Sequence, residues 1–438
     1  MNLVIGVIGG GRVLVQEREK LRVGERGEEE LAPELRRLFE ARDRAGEPGR
    51  IGNGSSSGEG VFDFRYGPFT GGYPEAGIFH LHTYGEKILS VEVDISCKHR
   101  GIEASMAGLE LSDCARASET VAGNFGFAHS LAFCRAAEAA LALEPGRRAE
   151  RLRLVGLELE RIYNHLLVKA RLAQAAAQKV LAAHVEALFE EALRINKLFS
   201  GSRLLSGSNR VGGVSAELMG VDDGRLRDLA ARVETLARHF GSIYTTSLSS
   251  RNYMDRLHGI AVAGAQLAVA RGLTGPSLRA AGVDADLRIA EPLLAGFVPI
   301  TKDEGDSMAR MEVRAEEILA SCEIVRGQVE ALLGGADGDA ADLRGDGVRA
   351  DGGAAESRGA GARATAASKA EGLGAAESAT GTVAWWIETS GGRVVRAYAS
   401  TPSLFGFQVF ADALRGHIFT DFPFALDSFG LSFADAAR

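Results

Sequence analysis

The feature that most constrains the fold is a run of helix-forming residues that extends from Arg147 to Ser200. Within this run Val155, Leu159, Ile162 and Leu166 recur at intervals of three and four residues, which places them on one helical face. Alanine is abundant in the rest of the run, and small side chains let neighbouring helices approach closely. The run therefore predicts long helices that pack as a bundle.

A second strong helix is predicted from Met308 to Leu333, because its apolar residues follow the same interval. Short segments of strand character lie before and after the helical region. Together these patterns predict an α+β fold that is mainly α, a long helical bundle with small β-sheets at the N- and C-terminal ends. The apolar stripe of the second helix consists of Met311, Ala315, Ile318, Cys322, Val325, Val329 and Leu332.

The first 60 residues are predicted to form a hairpin, a helix and a linker. Two β-branched runs, Leu3–Ile8 and Val13–Gln16, meet at three glycines, which predicts the hairpin. These glycines do not make a dinucleotide-binding motif, because Leu14 stands where that motif needs its third glycine. Pro33 suits the first turn of a short helix, and Glu47–Gly60 has the Gly- and Ser-rich composition of a linker.

The rest of the chain is predicted to be one domain, residues 61–333 and 380–438, interrupted once. Short strands are expected between Phe64 and Ile95, and a later hairpin is expected around Gly391. Residues 334–379 contain almost no large apolar side chain. Such a segment buries too little surface to offset its ordering entropy, so we predict a disordered insertion.

The charge of the chain excludes two classes of function. The net charge of −8 argues against nonspecific nucleic-acid binding and against docking on an anionic membrane through a basic patch. No apolar run approaches the ~20 residues of a membrane-spanning helix, and the first residues lack the basic lead of a signal peptide. We therefore expect a cytoplasmic protein that reaches a membrane only through partners.

The four cysteines, Cys97, Cys114, Cys134 and Cys322, are scattered without a Cys-x-x-Cys pair. In a cytosolic chain we expect them to be buried small apolar residues and not disulfides. A replacement metal site built from Cys114 and Cys134, with His129, is the alternative, although this spacing matches no standard motif.

Two stretches near opposite ends of the domain, 120–130 and 428–438, carry a family resemblance. They resemble the two regions of the [NiFe] hydrogenase large subunit that each hold a Cys-x-x-Cys pair, and the D-type subunit of NADH–quinone oxidoreductase (complex I) is similar to the same family. Further stretches fall in the order of that family: Arg65–Pro68, Gly85–Val93, Lys98–Glu103, Leu157–Leu166, Arg210–Val214, Gly275–Gly282 and Glu304–Arg310.

The resemblance implies a metal site from which the ligands are missing. The four cysteine positions of the family read Ala122, Phe125, Ser432 and Asp435 here. Nickel and iron of this kind need thiolates, and alanine and phenylalanine cannot act as ligands. The chain therefore resembles most the energy-converting, hydrogenase-related branch without nickel ligands, and we expect it to bind no metal.

The quinone site of the complex I branch is altered as well. Its His-Pro-x-x-His stretch falls on 70–74, which contains no histidine, and its tyrosine falls near Gly123. A quinone headgroup needs a hydrogen-bond donor at each carbonyl oxygen, so these losses put ordinary quinone reduction in doubt.

Five residues are candidates for chemistry. By resemblance His99, Arg100 and Glu103 lie against the small iron–sulfur subunit, and a glutamate in this region often takes part in proton movement. The alternative is that Arg100 and Glu103 form a buried ion pair at a corner. If His129 and Asp435 face one cavity, they could form a titrating pair; the alternative is that Asp435 is solvated and His129 bonds to the backbone.

Other residues of the matching stretches are expected to be structural. Asn164 and His165 lie on the long helix, and Arg210 precedes a glycine pair that serves close packing. Phenylalanines are expected to fill the space that metal and its diatomic ligands occupy in relatives: Phe125, Phe127, Phe133 and Phe433.

The resemblance implies a nickel-free large subunit of a membrane-associated, complex I-like oxidoreductase, peripheral on the cytoplasmic side of the inner membrane. Expected partners are an iron–sulfur small subunit that is similar to the B-type subunit of complex I and carries a 4Fe-4S cluster, a protein similar to the C-type subunit and, indirectly, antiporter-like membrane subunits. No cofactor is expected in the chain itself, although a quinone fits the family, and no residue indicates NAD binding. The alternatives are a non-catalytic structural subunit and a quinone-site subunit of the D type.

One observation separates a redox role from a structural role. A redox role predicts a pocket lined by His129 and Asp435, whereas a structural role predicts that this place is closed and apolar.

Overall fold

The computed structural model describes residues 3–8, 12–17, 20–25, 49–70, 73–335 and 369–438, and for the first three ranges it describes the backbone alone. Four long helices dominate it: α4 (Arg147–Ala175), α5 (Lys179–Ser200), α7 (Asp223–Leu248) and α11 (Ser307–Leu333). They pack on one another in pairs, α4 on α5 and α11, and α7 on α5 and α11. The predicted bundle is confirmed.

The single helical run of the sequence is divided between α4 and α5. The chain reverses there at Ala177, whose φ of 56° is left-handed, and Ala176 and Gln178 return their amides to the end of α4. Alanine carries no strong signal for such a turn, so the pattern predicted the helices but not their boundary.

A four-stranded antiparallel sheet precedes the bundle, with strand order β4-β7-β6-β5. It contains β4 (Arg50–Gly52), β5 (Val61–Tyr66), β6 (Ile78–Tyr84) and β7 (Lys87–Asp94). The strands predicted between Phe64 and Ile95 are confirmed. The prediction that Glu47–Gly60 is only a linker is wrong at β4, because Arg50–Gly52 pairs with the edge of β7.

A second antiparallel sheet contains β10 (Ala370–Glu377), β11 (Thr382–Ser390) and β12 (Arg393–Ser400), in the order β10-β11-β12. The second predicted hairpin is confirmed by β11 and β12. Helix α3 (Gly126–Leu141) packs closely on β10, since a Cβ at Gly372 would lie only 1.9 Å from the Ala136 carbonyl oxygen. The prediction of disorder up to residue 379 is therefore wrong for β10, while residues 336–368 lie outside the described residues.

The N-terminal hairpin is confirmed by β1 (Leu3–Ile8) and β2 (Arg12–Glu17), which pair antiparallel. A third strand, β3 (Lys20–Glu25), pairs with β2 and was not predicted. The helix expected around Pro33 lies outside the described residues.

The C-terminal segment packs against the first sheet through α12 (Pro402–Leu414), α13 (Phe422–Phe429) and α14 (Phe433–Ala437). Aromatic rings meet at this contact: Phe433 lies 5.3 Å from Phe79 and 4.7 Å from Phe407, centroid to centroid. This packing brings the end of the chain into the interior.

The remaining elements are short. None of the helices in the described ranges combines the length and the apolar character that a bilayer crossing requires. The short elements are α1 (Ile102–Ser105), α2 (Leu111–Ser118), β8 (Asn209–Arg210), β9 (Gly213–Val214), α6 (Ala216–Met219), α8 (Arg251–Met254), α9 (Ala265–Ala270) and α10 (Gly275–Arg279), with 3-10 turns at Ser96–Lys98, Leu287–Ala290, Pro292–Leu294 and Phe419–Asp421.

Candidate functional site: the closed former metal position

The first half of the site is the start of α3. The Phe125 amide donates to the Ala122 carbonyl oxygen at 2.9 Å, which makes a tight turn before the helix. The Glu160 carboxylate of α4 accepts hydrogen bonds from the amides of Phe127 at 2.7 Å and Ala128 at 3.0 Å. These amides are otherwise unsatisfied at a helix N-terminus, where negative charge is favoured. Burial nevertheless raises the pKa of Glu160 to about 8.

The second half is the start of α14. The Ser432 hydroxyl accepts a hydrogen bond from the Asp435 amide at 3.1 Å, which caps the helix, and donates to Glu75 at 2.8 Å. Glu75 also accepts from the Ala434 amide at 2.9 Å. The tail is thus anchored to the loop before β6 by side-chain hydrogen bonds.

His129 and Asp435 join the two halves. The imidazole Nε2 of His129 donates to Asp435 Oδ1 at 2.9 Å, and neither side chain has any exposed surface. The second oxygen of Asp435 accepts a hydrogen bond from the Ser403 amide at 3.0 Å. The two candidate residues are therefore paired, and the alternative of a solvated Asp435 is wrong.

The space between the start of α3 and the start of α14, which corresponds to the metal position of the resembling family and is called the former metal position below, is closed. Ala122 and Phe125 form a small apolar cluster with Ala379, and Ala434 packs against it. Of the phenylalanines expected to fill this space only Phe125 does so. Phe127 and Phe133 belong to the core of the helical bundle, and Phe433 belongs to the core beneath the first sheet, so the prediction is wrong for these three.

A nickel–iron centre does not fit these residues. Ala122 and Phe125 offer no ligand atom, and both oxygens of Asp435 already accept hydrogen bonds. Across the described part of the chain, no group of three or more His, Cys, Asp or Glu side chains is arranged to hold a metal ion.

The cysteines do not replace the lost ligands. Cys114, Cys134 and Cys322 are buried, as predicted, whereas Cys97 is exposed, and the prediction for it is wrong. Burial raises the pKa of each of the three buried thiols to about 12, which disfavours the thiolate that a metal requires.

His99 and Arg100 hold the last residues of the chain, whereas Glu103 contacts β12. His99 Nδ1 donates to the Ala437 carbonyl oxygen at 2.9 Å, and the Arg100 amide donates to the Arg438 carbonyl oxygen at 3.1 Å. The exposed Arg100 guanidinium donates to the carbonyl oxygens of residues 98, 120 and 121, and Glu103 accepts from the amide of residue 399. Because Arg100 is exposed, the alternative of a buried Arg100–Glu103 ion pair does not describe it.

Asn164 and the glycine pair after Arg210 have structural partners. Asn164 donates to the Asn124 carbonyl oxygen at 2.7 Å, which ties α4 to the segment before α3. The loop after Arg210 is held by Glu138, which accepts from the Gly212 amide at 2.7 Å.

A buried ionic network behind the site was not predicted. Its centre is Glu317 on α11, which accepts from Arg279 at 2.6 Å and from His165 Nε2 at 2.8 Å. Arg314 has only donors and lies 3.3 Å from His165 Nδ1, so the imidazole proton is on Nε2. Burial lowers the pKa of His165 to about 3. The other members of the network are Glu158, Arg161, Asp286, Arg288 and Glu377.

Thr70, Tyr73 and Pro74, which align with the quinone loop of the resembling family, border a cavity. This acceptor cavity of about 690 Å³ is lined by Thr70, Tyr73, Lys98, Arg171 and other residues of α4 and α5. A second hollow of about 250 Å³ adjoins the same tyrosine and arginine.

One of the residues that line the acceptor cavity, Arg171, contacts two other side chains. The guanidinium of Arg171 lies 4.6 Å from the centre of the Tyr73 ring and forms an ion pair with Asp427. Burial raises the pKa of Asp427 to about 6, although Arg171 opposes this shift. The Tyr73 hydroxyl donates to the Leu431 carbonyl oxygen at 2.5 Å, so it is already engaged.

Comparisons with known proteins agree on one family. Residues 184–438, more than half of the chain, match the family model of the 49 kDa subunit of the respiratory-chain NADH dehydrogenase. The chain is 30% identical to the D 2 subunit of the NADH-quinone oxidoreductase of Rhizobium etli over 250 residues, 56% of this chain and 61% of that protein. It is 27% identical to formate hydrogenlyase subunit 5 of Escherichia coli over 266 residues, 60% of this chain and 46% of that protein. These relatives are thus matched over less than two thirds of their length.

A solved structure has the same fold. A chain in the structure of the membrane-bound sulfane sulfur reductase, an archaeal respiratory membrane complex, superposes with a TM-score of 0.73 at 20% identity. The superposition covers 88% of this chain and all of the other. At this identity the likeness concerns the fold alone.

Proposed function

Because the chain belongs to the family of the 49 kDa subunit of the respiratory-chain NADH dehydrogenase, we propose that it is a nickel-free subunit of a membrane-bound, complex I-like redox assembly. In this proposal it pairs with a small subunit that carries a 4Fe-4S cluster, and it contacts the membrane arm through partners. It binds no metal itself.

The observation that carries the proposal is the closed former metal position. Ala122 and Phe125 pack with Ala379 and Ala434, and Asp435 is hydrogen-bonded to His129, so the starts of α3 and α14 lie together and are packed. A pocket was expected at this position for a redox role, and a closed, apolar position for a structural role. The closed position therefore favours a structural role for that part of the subunit. Any redox chemistry of the assembly is then supplied by its partners or at another cavity.

Purification of the tagged chain from gently solubilised membranes tests this proposal. We expect an iron–sulfur protein to co-purify, with iron present and nickel well below one atom per chain. The metal content is measured by mass spectrometry, and a true nickel hydrogenase treated in parallel is the control. Nickel in a one-to-one ratio with the chain, or a chain that purifies alone, would contradict it.

The acceptor cavity supports a second candidate function, a site for a quinone-type electron acceptor. Its lining includes Lys98 as a hydrogen-bond donor and Gln174, whose amide nitrogen also donates to Glu186. These donors stand in for the missing histidines, because a quinone carbonyl oxygen needs only a positioned N–H or O–H group. The closed former metal position does not argue against this candidate, since the acceptor cavity lies elsewhere.

Binding of the short-chain quinone decyl-ubiquinone to the purified assembly tests the second candidate. We expect Lys98→Met to weaken binding about tenfold, the effect of losing one hydrogen bond from a charged donor. The exposed Lys179→Met on α5 is the matched control and should leave the affinity unchanged. Equal binding by both variants would exclude Lys98 as a ligand contact.

A further inference from the structure

Lys169 is a lysine inside the helical bundle. It lies on α4 with only 2% of its surface exposed. Its Nζ has two polar contacts in the described residues, the Ser247 hydroxyl at 3.4 Å and the Met311 sulfur at 3.3 Å. The contact with Ser247 is long, and the thioether sulfur of Met311 is a weak acceptor, so the three N–H donors of an ammonium group are poorly satisfied.

Two tyrosine rings complete the surroundings of the amine. Nζ lies 4.9 Å from the ring centre of Tyr244 on α7 and 5.8 Å from that of Tyr253 on α8. Aromatic faces attract a cation, so the cage accommodates the protonated amine even though burial opposes it. Burial lowers the pKa of Lys169 to about 7, and Glu312 opposes this shift. Both protonation states are therefore accessible in this cage near neutral pH.

Beside Met311, a contact of the amine, α11 carries charged residues that are partly exposed. Glu312 follows Met311 on α11, and burial raises the pKa of its carboxyl group. Lys302 lies 4.0 Å from Glu312 and 2.7 Å from Glu316. His258, in the segment after α8, opposes the raised pKa of Glu312. In the other direction, one helical turn along α4, His165 begins the buried ionic network.

We propose that Lys169 is a proton-binding site of this chain, and that it exchanges a proton with the carboxyl group of the partly exposed Glu312. In the exchange a protonated Glu312 carboxyl group becomes a carboxylate, and the neutral Lys169 amine becomes an ammonium between the two tyrosine rings. Charge and protons balance within the pair, and no other reactant is consumed. Its use in coupling proton movement to electron transfer rests on the proposed function, but the titration itself does not.

Carbon NMR of the full chain tests the titration directly. The chain has only eight lysines, so protein labelled with ¹³C at the lysine Cε position gives few resonances. The resonance missing from Lys169→Met should titrate near pH 7, whereas exposed lysines titrate near 10.4. A midpoint for Lys169 above pH 9 would overturn the proposal.

Thermal unfolding provides a second, independent measurement. The unfolded amine has its ordinary pKa of 10.5, so between pH 10.5 and 7 the unfolded state binds more protons than the folded state. Wild-type stability should therefore fall as the pH is lowered through this window and level off below 7. Relative to wild type, the Tm of Lys169→Met should rise as the pH is lowered over the same window, while exposed Lys197→Met follows the wild type. Parallel curves for all three proteins would contradict the proposal.

The role in coupling has its own test in the purified assembly. Lys169→Met removes the charge and Lys169→Arg makes it permanent, so neither can load and release a proton. Each is expected to slow turnover with decyl-ubiquinone about 100-fold, the usual cost of a lost proton-transfer group, and Lys197→Met is not. If Lys169→Arg does not fold, Lys169→Met alone decides. Full turnover of Lys169→Met would overturn the coupling role, even with an NMR midpoint near 7, whereas loss of metal or partner would instead question the proposed function.

Discussion

Replacement of Glu317 by glutamine is expected to lower the free energy of unfolding by about 4 kcal/mol, because it leaves buried cations without their counter-charge. Glu317 is 1% exposed and accepts hydrogen bonds from Arg279 and His165, with Arg288 at 3.4 Å. Glutamine keeps the shape of the side chain, so the loss reports charge and not a cavity. Urea denaturation at pH 7.5 measures it.

The matched control for this variant is Glu323→Gln on the same helix. The Glu323 side chain is 70% exposed and pairs only with the partly exposed Arg326 within the described residues, so its replacement should change stability by less than about 0.5 kcal/mol. A loss below about 1 kcal/mol for Glu317→Gln would show that the network does not depend on this carboxylate.

The same carboxylate predicts a pH dependence. Burial alone would raise the pKa of Glu317, but Arg279, Arg288 and His165 outweigh burial and hold it well below its ordinary value of 4.5. The stabilisation is therefore complete above pH 4.5 and is lost as the pH falls through the lower, folded-state pKa. The difference in stability between wild type and Glu317→Gln should accordingly shrink below pH 4.5.

Replacement of Asp435 by alanine is expected to cost about 3 kcal/mol of unfolding free energy. The variant leaves two buried donors unpaired, His129 Nε2 and the Ser403 amide, and each orphaned donor costs about 1–3 kcal/mol. Asp435→Asn should cost less, because its amide oxygen can still accept one of these hydrogen bonds. Chemical denaturation of the purified chain measures both variants.

A double-mutant cycle with His129→Ala isolates the pair. We expect a coupling of about 2 kcal/mol between positions 129 and 435, as is usual for residues in one buried hydrogen-bonded network. Asp228→Ala, exposed on α7, is the control and should combine additively with His129→Ala. Additive losses for positions 129 and 435 would mean that their hydrogen bond does not hold the two halves of the site together.

Much of the fold could be predicted because its signals are local. The stripe that contains Ile318 and Val325 predicted α11 almost to the residue. The β-branched runs around Gly391 predicted β11 and β12. In contrast, β10 escaped prediction, because small residues such as Gly372 and Gly374 look like a disordered sequence. They form a strand here only since α3 lies against them.

The site was predictable in part. Family resemblance placed His129 and Asp435 together, and the structure brings them into hydrogen-bond contact. The sequence carried no signal for the burial of Lys169, since a lysine within an amphipathic helix is usually solvated. Glu160 and Glu317 were missed because their partners come from distant segments, which no local pattern reveals.

The sequence by itself determined most of the elements, because helical periodicity is local. It also determined that positions 122 and 125 cannot bind a metal, because alanine and phenylalanine have no ligand atom in any fold. Only the tertiary structure decided that the former metal position is closed and that Asp435 and Lys169 are buried. Burial depends on how α3, α4, α11 and the tail pack together, and it sets the cost of each charge. That packing couples residues that are far apart in the sequence, such as His129 and Asp435, which are 306 positions apart.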